Sequence, residues 1–393
     1  MGAEADLLRR QVARFEAGHP GLRVELRPTP DSADRRHQLF VQWLAAFAPD
    51  PDVLQLDVIW VPEFAAAGWI APLPDALASD TDQLPEALRS ATWRGRRFAV
   101  PWFVDIGVLY WRTDLLPRPP ATLSELHRRA VELRDEAGLR YGLVWQGARY
   151  EGLVTVFVEY LGACGGRVLD DAGRVVLDGP GGLCAFRLLR EAIDSGAVPT
   201  EALAWREEPV RLAFQAGQAV FMRNWPYAAA LLRDPKESRV ADRFAVGTVP
   251  RERPGGRPTA ALGGASLAVN ARSDVPAAAF ELVAFLTAPE QMAERARVLG
   301  HLPPRPSLYR GDHLAGAFDA PPEAVLARIR AARSRPVTPL YSELSRALQT
   351  HLHRLLSGQA DPEEALDRAA AELRRILRRA GLGARPAAEL QGG

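Results

Sequence analysis

The sequence has one lysine, Lys236, and two cysteines, Cys164 and Cys184, and its 49 basic residues are matched by 48 acidic ones for a net charge of +1. So even a balance leaves no field that would gather nucleic acid or an anionic membrane surface. Two cysteines are too few for a disulfide framework, and their spacing is not that of a metal site. Cys184 falls in the amphipathic stretch "LCAFRLL", where a buried free thiol is the ordinary expectation; a Cys164–Cys184 bridge is the alternative that an extracytoplasmic compartment would permit. The seven histidines are scattered. His351 and His353, two apart, face different sides of a helix, so no metal is expected. No run approaches the ~20 apolar residues of a membrane span. The opening "MGAEADLLRRQVARFEAG" lacks the unbroken apolar segment of a secretory leader. Absent too are a Gly-rich phosphate loop between strand and helix, a G-x-S-x-G elbow, an H-E-x-x-H pair and a P-loop, which favours binding over catalysis and implies no cofactor.

What is present is a chain of 393 residues, 47% apolar and 25% charged, long enough for two lobes with a core each. Helical spacing of Leu7, Leu8, Val12 and Phe15 opens it. "LRVELRP" alternates like a strand, residues 34–48 repeat like a helix, and "PDVLQLDVIW" reads as a buried strand before a helix ending at Gly68. Further on, "FAVPWFVDIGVLYWRTDLL" is a long extended segment running from one lobe into the next. Helices are expected in "TLSELHRRAVELRDEAG", through residue 162 and in "LCAFRLLREAIDSG". "YGLVWQG" and "ASLAVNARS" read as strands. "VPRERPGGRPTAALGG" reads as a linker or surface loop, and the last third as helical with Pro-rich joints at 303–306 and 336–339. The tail "GARPAAELQGG" looks frayed. Alternation of this kind argues for α/β lobes built on mainly parallel sheets.

Two carboxylates lie at strand ends: Asp57 in "LQLDVIW" and Asp105 in "WFVDIG". Ligands of open α/β sheets bind beyond the carboxyl ends of the strands, although an Asp there can equally cap a following helix. The stretch "FMRNWPYAAALL" raises a separate question. A bend that only turned the chain would use Gly, Asn or Ser; this one sets Trp225 and Tyr227 about Pro226, with Arg223 and Asn224 beside them. A helix start with Pro at its first position and a core Trp is the plainer account. Flat apolar faces next to charged and polar groups are also what a sugar ring needs, stacked on its apolar face and hydrogen-bonded at its rim.

At the level of whole motifs, "DPDVLQLDVIWVPEFAAAGWIAPL", "VDIGVLYWRTDLL", "LVWQGARYEGLV", "EEPVRLAFQAGQAVFMRNWPYA" and "RPVTPLY" resemble the solute-binding proteins of ABC sugar importers, most closely the trehalose/maltose-binding group. The likeness runs from Glu4 to about residue 380. It implies a two-lobed periplasmic-binding-protein-like fold of type II, each lobe a mainly parallel sheet flanked by helices. The lobes would comprise residues 1–106 with 265–303, and 107–264 with 304–393. It further implies a monomer that closes over a sugar and hands it to the permease subunits of an ABC importer outside the cytoplasm. Carried over by position, the ligand-facing residues are Glu4, Arg35, Asp57, Phe103, Asp105, Trp225, Tyr227, Gly263, Gly264 and Arg335.

Three positions depart from that group. Phe103 stands where relatives carry Tyr, Ala265 where a Trp is usual after Gly263–Gly264, and His301 in "LGHLPPR" where another Trp is usual. An α-linked diglucoside such as trehalose or maltose remains the favoured ligand. The group also opens with a strand before the first helix, so a signal or lipoprotein peptide and that strand are expected upstream of the residues given. Two other functions are compatible with the residues. One is a glycoside-active enzyme using an acid pair among Glu4, Asp57 and Asp105, since two carboxylates ~5–9 Å apart can flank a scissile bond. The other is a sugar sensor without a transporter.

Overall fold

After Pro51 the apolar run forms the strand Val53–Asp57, in which Leu54 and Leu56 are buried and Gln55 is exposed, the two-residue period of a pleated strand. It pairs antiparallel with Ala261–Val269, placing Asp57 opposite Ala265. The computed structural model describes residues 2–30, 32–253, 260–318 and 320–382. The chain divides into two units. The first comprises Met1–Asp105, Gly263–Arg330 and Val337–Tyr341, and the second Ile106–Leu262, Ala331–Pro336 and Ser342–Gly393.

In the first unit, helix Ala33–Ala45 buries Phe40 and Leu44 against Leu54, Leu56, Trp60, Phe64 and Tyr341. Helix Val61–Ala66 ends before Gly68, whose φ of +69° is the left-handed geometry that favours glycine. Helix Ala3–Gly18 presents Leu7, Val12 and Phe15 inward. Pro276–Leu286 and Pro289–Leu299 are separate helices, the second opening on Pro289.

The second unit holds a sheet in the order Tyr141–Val144, Ala219–Asn224, Val108–Arg112, Phe244–Thr248. Its first pair is parallel and the other two antiparallel. Helix Leu123–Glu136 starts at Thr122, whose hydroxyl accepts the Glu125 N–H at 3.1 Å. Helix Glu151–Ala163 is buried on almost every side, because it lies among Phe186, Trp145 and the rest of the apolar interior. Of its thirteen residues only Glu151 and Glu159 are charged.

Several expectations are corrected. The sheets are mixed and not mainly parallel: Val108–Arg112 runs against Ala219–Asn224 and Phe244–Thr248, and Ala261–Val269 against Val53–Asp57, while the helix-linked Tyr141–Val144 and Ala219–Asn224 keep the parallel sense. "LRVELRP" forms no ladder among the described residues; the Val24 N–H is instead taken by the Glu16 carboxylate at 2.8 Å. Residues 304–330 belong to the first unit and not the second. They are held there by Leu84 N–H donating to Pro304 O at 2.8 Å, by the Arg305–Asp80 ion pair at 2.6 Å, and by Ser307 N–H donating to Asp82 at 3.1 Å. Residues 337–341 also return to the first unit, with Tyr341 in its core. Gly263 and Gly264 likewise fall in the first unit. Cys164 and Cys184 form a disulfide, not free thiols. Cys164 follows helix Glu151–Ala163 and Cys184 lies in helix Pro180–Asp194, two helices packed side by side. Of the linker, residues 254–259 lie outside the described residues, as does the tail from 383.

Two outcomes follow from this interior. The disulfide closes a loop with a sequence separation of 20, so Cys164→Ser with Cys184→Ser, or reduction of the native chain, lowers unfolding stability by about 3 kcal/mol, read from denaturant melts with and without reductant. His127 is buried with Nε2 2.8 Å from the Tyr160 hydroxyl, and burial pushes its pKa down from 6.5 to about 4. The unfolded chain therefore binds the extra proton between those values. The stability due to neutral His127 is complete above pH 6.5 and is lost at up to ~1.4 kcal/mol per pH unit as pH falls toward 4. In His127→Gln, urea melts across that range lose this part of the slope.

Candidate functional site

Within the first unit the strands bring several of the sequence candidates to one place. Asp57 ends its strand half-buried, and its Oδ1 accepts the Ile59 N–H at 3.2 Å, a turn bond two residues on and not a cap of helix Val61–Ala66, which has no side-chain cap. Opposite it, Ala265 is buried. Gly264, one residue earlier, has φ +116°, and a Cβ there would run into the Phe103 carbonyl and lie 2.7 Å from Val104 Cα. Glycine is required at this position for backbone approach as well as conformation. Gly263 is buried in the same strand. Phe103 and Asp105 are the half-buried residues of strand Val100–Ile106, whose other members are buried.

Phe103 carries the His301 ring, stacked at 4.0 Å and 26°. Behind both lies Arg295, with its guanidinium 3.8 Å from the Trp102 ring and 5.8 Å from that of Phe103. Arg295 Nη2 donates to Glu4 Oε1 at 2.9 Å, which ties the first turn of helix Ala3–Gly18 to this group. Glu4, Phe103 and His301 thus converge through a residue that sequence reasoning missed. Arg35 is exposed on helix Ala33–Ala45, and no described contact joins it to them.

The bend of the second unit is built from below. Strand Ala219–Asn224 is buried at all six positions. At its end the Asn224 side-chain oxygen accepts the Trp225 N–H at 2.8 Å and its nitrogen donates to Glu207 O at 3.3 Å. Pro226, at φ −57°, is the cap residue that leads into helix Tyr227–Leu232, so a helix does start here, but Pro226 precedes its first position and Trp225 is half-buried and not a core residue. The Trp225 carbonyl accepts the Tyr110 hydroxyl at 2.7 Å, and its indole N–H reaches Glu207 Oε1 at 3.5 Å. The Tyr227 hydroxyl donates to Glu208 at 2.7 Å; burial and that carboxylate raise the phenol well above its ordinary pKa. Under the indole lies Arg223, its guanidinium 4.2 Å from the ring. One face of Trp225 is therefore taken by a cation, and a second flat group can stack only on the other.

Arg223 is anchored by a two-point ion pair with Glu159, at 2.8 and 2.5 Å, and donates to Gln146 Oε1 at 3.1 Å. Side-chain exposures are 4% and 0%, so both charges have left water. Glu159 also accepts the Ala261 N–H at 3.4 Å. At Gly107 a Cβ would fall on the Glu159 carboxylate and the Arg223 guanidinium. Here glycine is required by space alone.

Arg335, carried over as a ligand-facing residue, is buried and bound to Glu151 at 2.6 Å, with the Ser345 hydroxyl on the other carboxylate oxygen. Gln349 completes the chain by donating to Ser345 Oγ at 3.0 Å. Glu151 was invisible as its partner because the two are 184 residues apart. Among the described residues no group of histidine, cysteine, aspartate or glutamate could hold a metal ion, and no helix is long and apolar enough to cross a membrane.

Residues 10–323 match the family described as bacterial extracellular solute-binding protein. The chain belongs to that family. A relative of this solute-binding protein, a probable ABC transporter-binding protein of Deinococcus radiodurans, is 33% identical over 379 residues, covering 91% of this chain and 87% of its own. Among solved structures, maltose-bound T. maritima MalE3 is similar at TM-score 0.87 and 39% identity, covering 96% of this chain and 97% of that one. The GacH receptor of Streptomyces glaucescens, solved unliganded and with acarbose, is similar at TM-score 0.84 and 25% identity, with 96% of each chain covered. These likenesses bear out the two-lobed periplasmic-binding-protein-like α/β fold expected from the motifs.

The buried ion pair beneath Trp225 makes a stability test. Glu159→Gln leaves the Arg223 cation buried without its anion and costs about 3–5 kcal/mol, whereas Glu159→Met with Arg223→Met restores much of the loss. Urea denaturation of the three chains measures both.

Proposed function

We propose that this solute-binding protein is a carbohydrate receptor that binds an α-linked diglucoside such as maltose or trehalose and delivers it, unaltered, to the permease subunits of an ABC importer. The observation that carries the reading is the Trp225 platform. It is an indole backed on one face by Arg223 and held at its N–H, its backbone N–H and its carbonyl. Such a ring loses little freedom on binding and offers one flat apolar surface. The Glu207 carboxylate stands at its indole N–H as a hydroxyl acceptor, and Glu208 stands at the Tyr227 hydroxyl. In the first unit Glu4, Asp57, Asp105 and His301 supply the polar groups that fix orientation in a ligand site.

The maltose-bound relative at 39% identity and the acarbose-binding relative at 25% support an oligoglucoside ligand. Phe103 and Ala265 in place of Tyr and Trp reduce both hydroxyl contact and stacking area, which favours a short ligand over a long maltodextrin. The Cys164–Cys184 bond supports residence outside the cytoplasm, where disulfides persist. We place Arg335 in support of the helix that carries Glu151, and not against the sugar, because its charge is already matched inside the protein.

Titration calorimetry with tryptophan fluorescence against maltose, trehalose, sucrose, glucose and maltodextrins tests the reading, each mixture then being checked for sugar breakdown. Saturable binding of an intact disaccharide is the expected result. Trp225→Ala then weakens it by about 2 kcal/mol, or ~30-fold. Tyr227→Phe costs less, since that hydroxyl is already engaged by Glu208. Cleaved sugar, or no binding to any of the panel, overturns the proposal.

A further inference from the structure

Arg295 is 1% exposed in helix Pro289–Leu299, yet it lies among aromatic rings and not in a matched ion-pair network. Its Nε and Nη1 have no hydrogen-bond partner, and both are shut off from water. All its polar contacts pass through Nη2, which donates to Glu4 Oε1 at 2.9 Å and lies 3.2 Å from His301 Nδ1. The ring beneath it cannot shift freely, since Trp102 is 2% exposed and its indole N–H donates to Leu286 O at 3.2 Å. A cation kept in this state carries a desolvation cost that an apolar side chain would avoid. Such a group is explained better by what it holds than by the stability it adds.

What it holds is specific. A guanidinium can only donate, so His301 Nδ1 must accept and its ring proton must lie on Nε2. Burial, then the Arg295 charge, push His301 down to about 3, which keeps the ring neutral with a single remaining donor. The ring is also stacked on Phe103 at 4.0 Å. Glu4, by contrast, keeps half its side chain exposed while Arg295 is covered. A donor-only imidazole edge and a carboxylate acceptor are thereby held in fixed register from one buried nitrogen.

We infer that Arg295 is a positioning residue for ligand specificity: it sets the His301 tautomer and the Glu4 carboxylate as a paired donor and acceptor for adjacent hydroxyls of one sugar ring. This rests on the carbohydrate-receptor reading above. It also explains the His301 departure, because a histidine so fixed exchanges stacking area for a directed hydrogen bond.

The test uses the full chain and its Arg295→Met, Glu4→Gln and doubly substituted forms, with calorimetry against maltose, trehalose and glucose and with nitrogen-15 spectra of labelled histidine. Arg295→Met is expected to unfold as cooperatively as the native chain and to bind the preferred disaccharide at least tenfold more weakly. Glu4→Gln should lose a similar factor, and the double form no more than the worse single, the signature of one coupled unit. The native spectrum should show His301 protonated on Nε2, and the Met variant a mixture of tautomers. Should Arg295→Met fail to fold, Arg295→Lys carries the same comparison: a point charge holds Glu4 but not both partners, so the tautomer mixture returns with the affinity loss. Affinity within twofold of native, fully additive losses, or His301 protonated on Nδ1 in the native chain overturns the inference. A native chain that binds no sugar overturns the receptor reading instead, and the histidine spectra still decide whether Arg295 fixes the tautomer.

Discussion

Glu159 and Arg223 neutralise each other where no water reaches, and the Trp225 platform of the second unit is laid over that pair. Removing two charges from water is seldom a net gain in stability. What the pair supplies here is placement: the guanidinium is fixed under Trp225, Gln146 is held from the neighbouring strand end, and the Ala261 N–H is drawn to the same carboxylate. Gly107 has no room for a side chain because of it. The aromatic platform, one strand end and two backbone segments of the second unit therefore share a single electrostatic anchor.

In the first unit the same task is given to a cation without a matched buried anion. Arg295 lies on Trp102 and reaches outward to Glu4, so that its partner is in contact with solvent while it is not. The two arrangements differ in what they tolerate. A closed pair resists salt and ligand alike, whereas a half-open one leaves its outer carboxylate able to respond to what arrives. The solute-binding family to which the chain belongs is a family of receptors, and a rigid platform in one unit with a responsive acid in the other suits that role.

Much of this was legible in the sequence where the signal is local. Leu54 and Leu56 alternate and form a strand; Thr122 precedes an amphipathic run and caps it; Pro289 opens a helix. Asp57, Trp225 and Tyr227 could be singled out because each combines an unusual residue type with a strand end or bend. What stayed hidden depends on partners far apart in the chain. Nothing near Arg295 announces that residue 4 will lie beside it, and nothing near Arg335 announces Glu151. "LRVELRP" shows the converse failure: alternation describes a strand's faces, but only a neighbour with free backbone groups makes it one. The crossing expected at 304 failed for a similar reason, since Asp80, Asp82 and Leu84 hold that segment from more than two hundred residues away.

The Cys164–Cys184 bond also changes what a broken backbone would mean. Residues 165–183 include the turns about Gly165 and Gly173, both at positive φ, and the exposed Asp171 and Val176. These are the features at which proteases nick a folded surface. A cut anywhere in that stretch would leave both fragments covalently joined and their helices still packed. Outside the reducing cytoplasm, such a receptor could be cleaved once and remain a single molecule, its damage visible only when the sulfur bridge is opened.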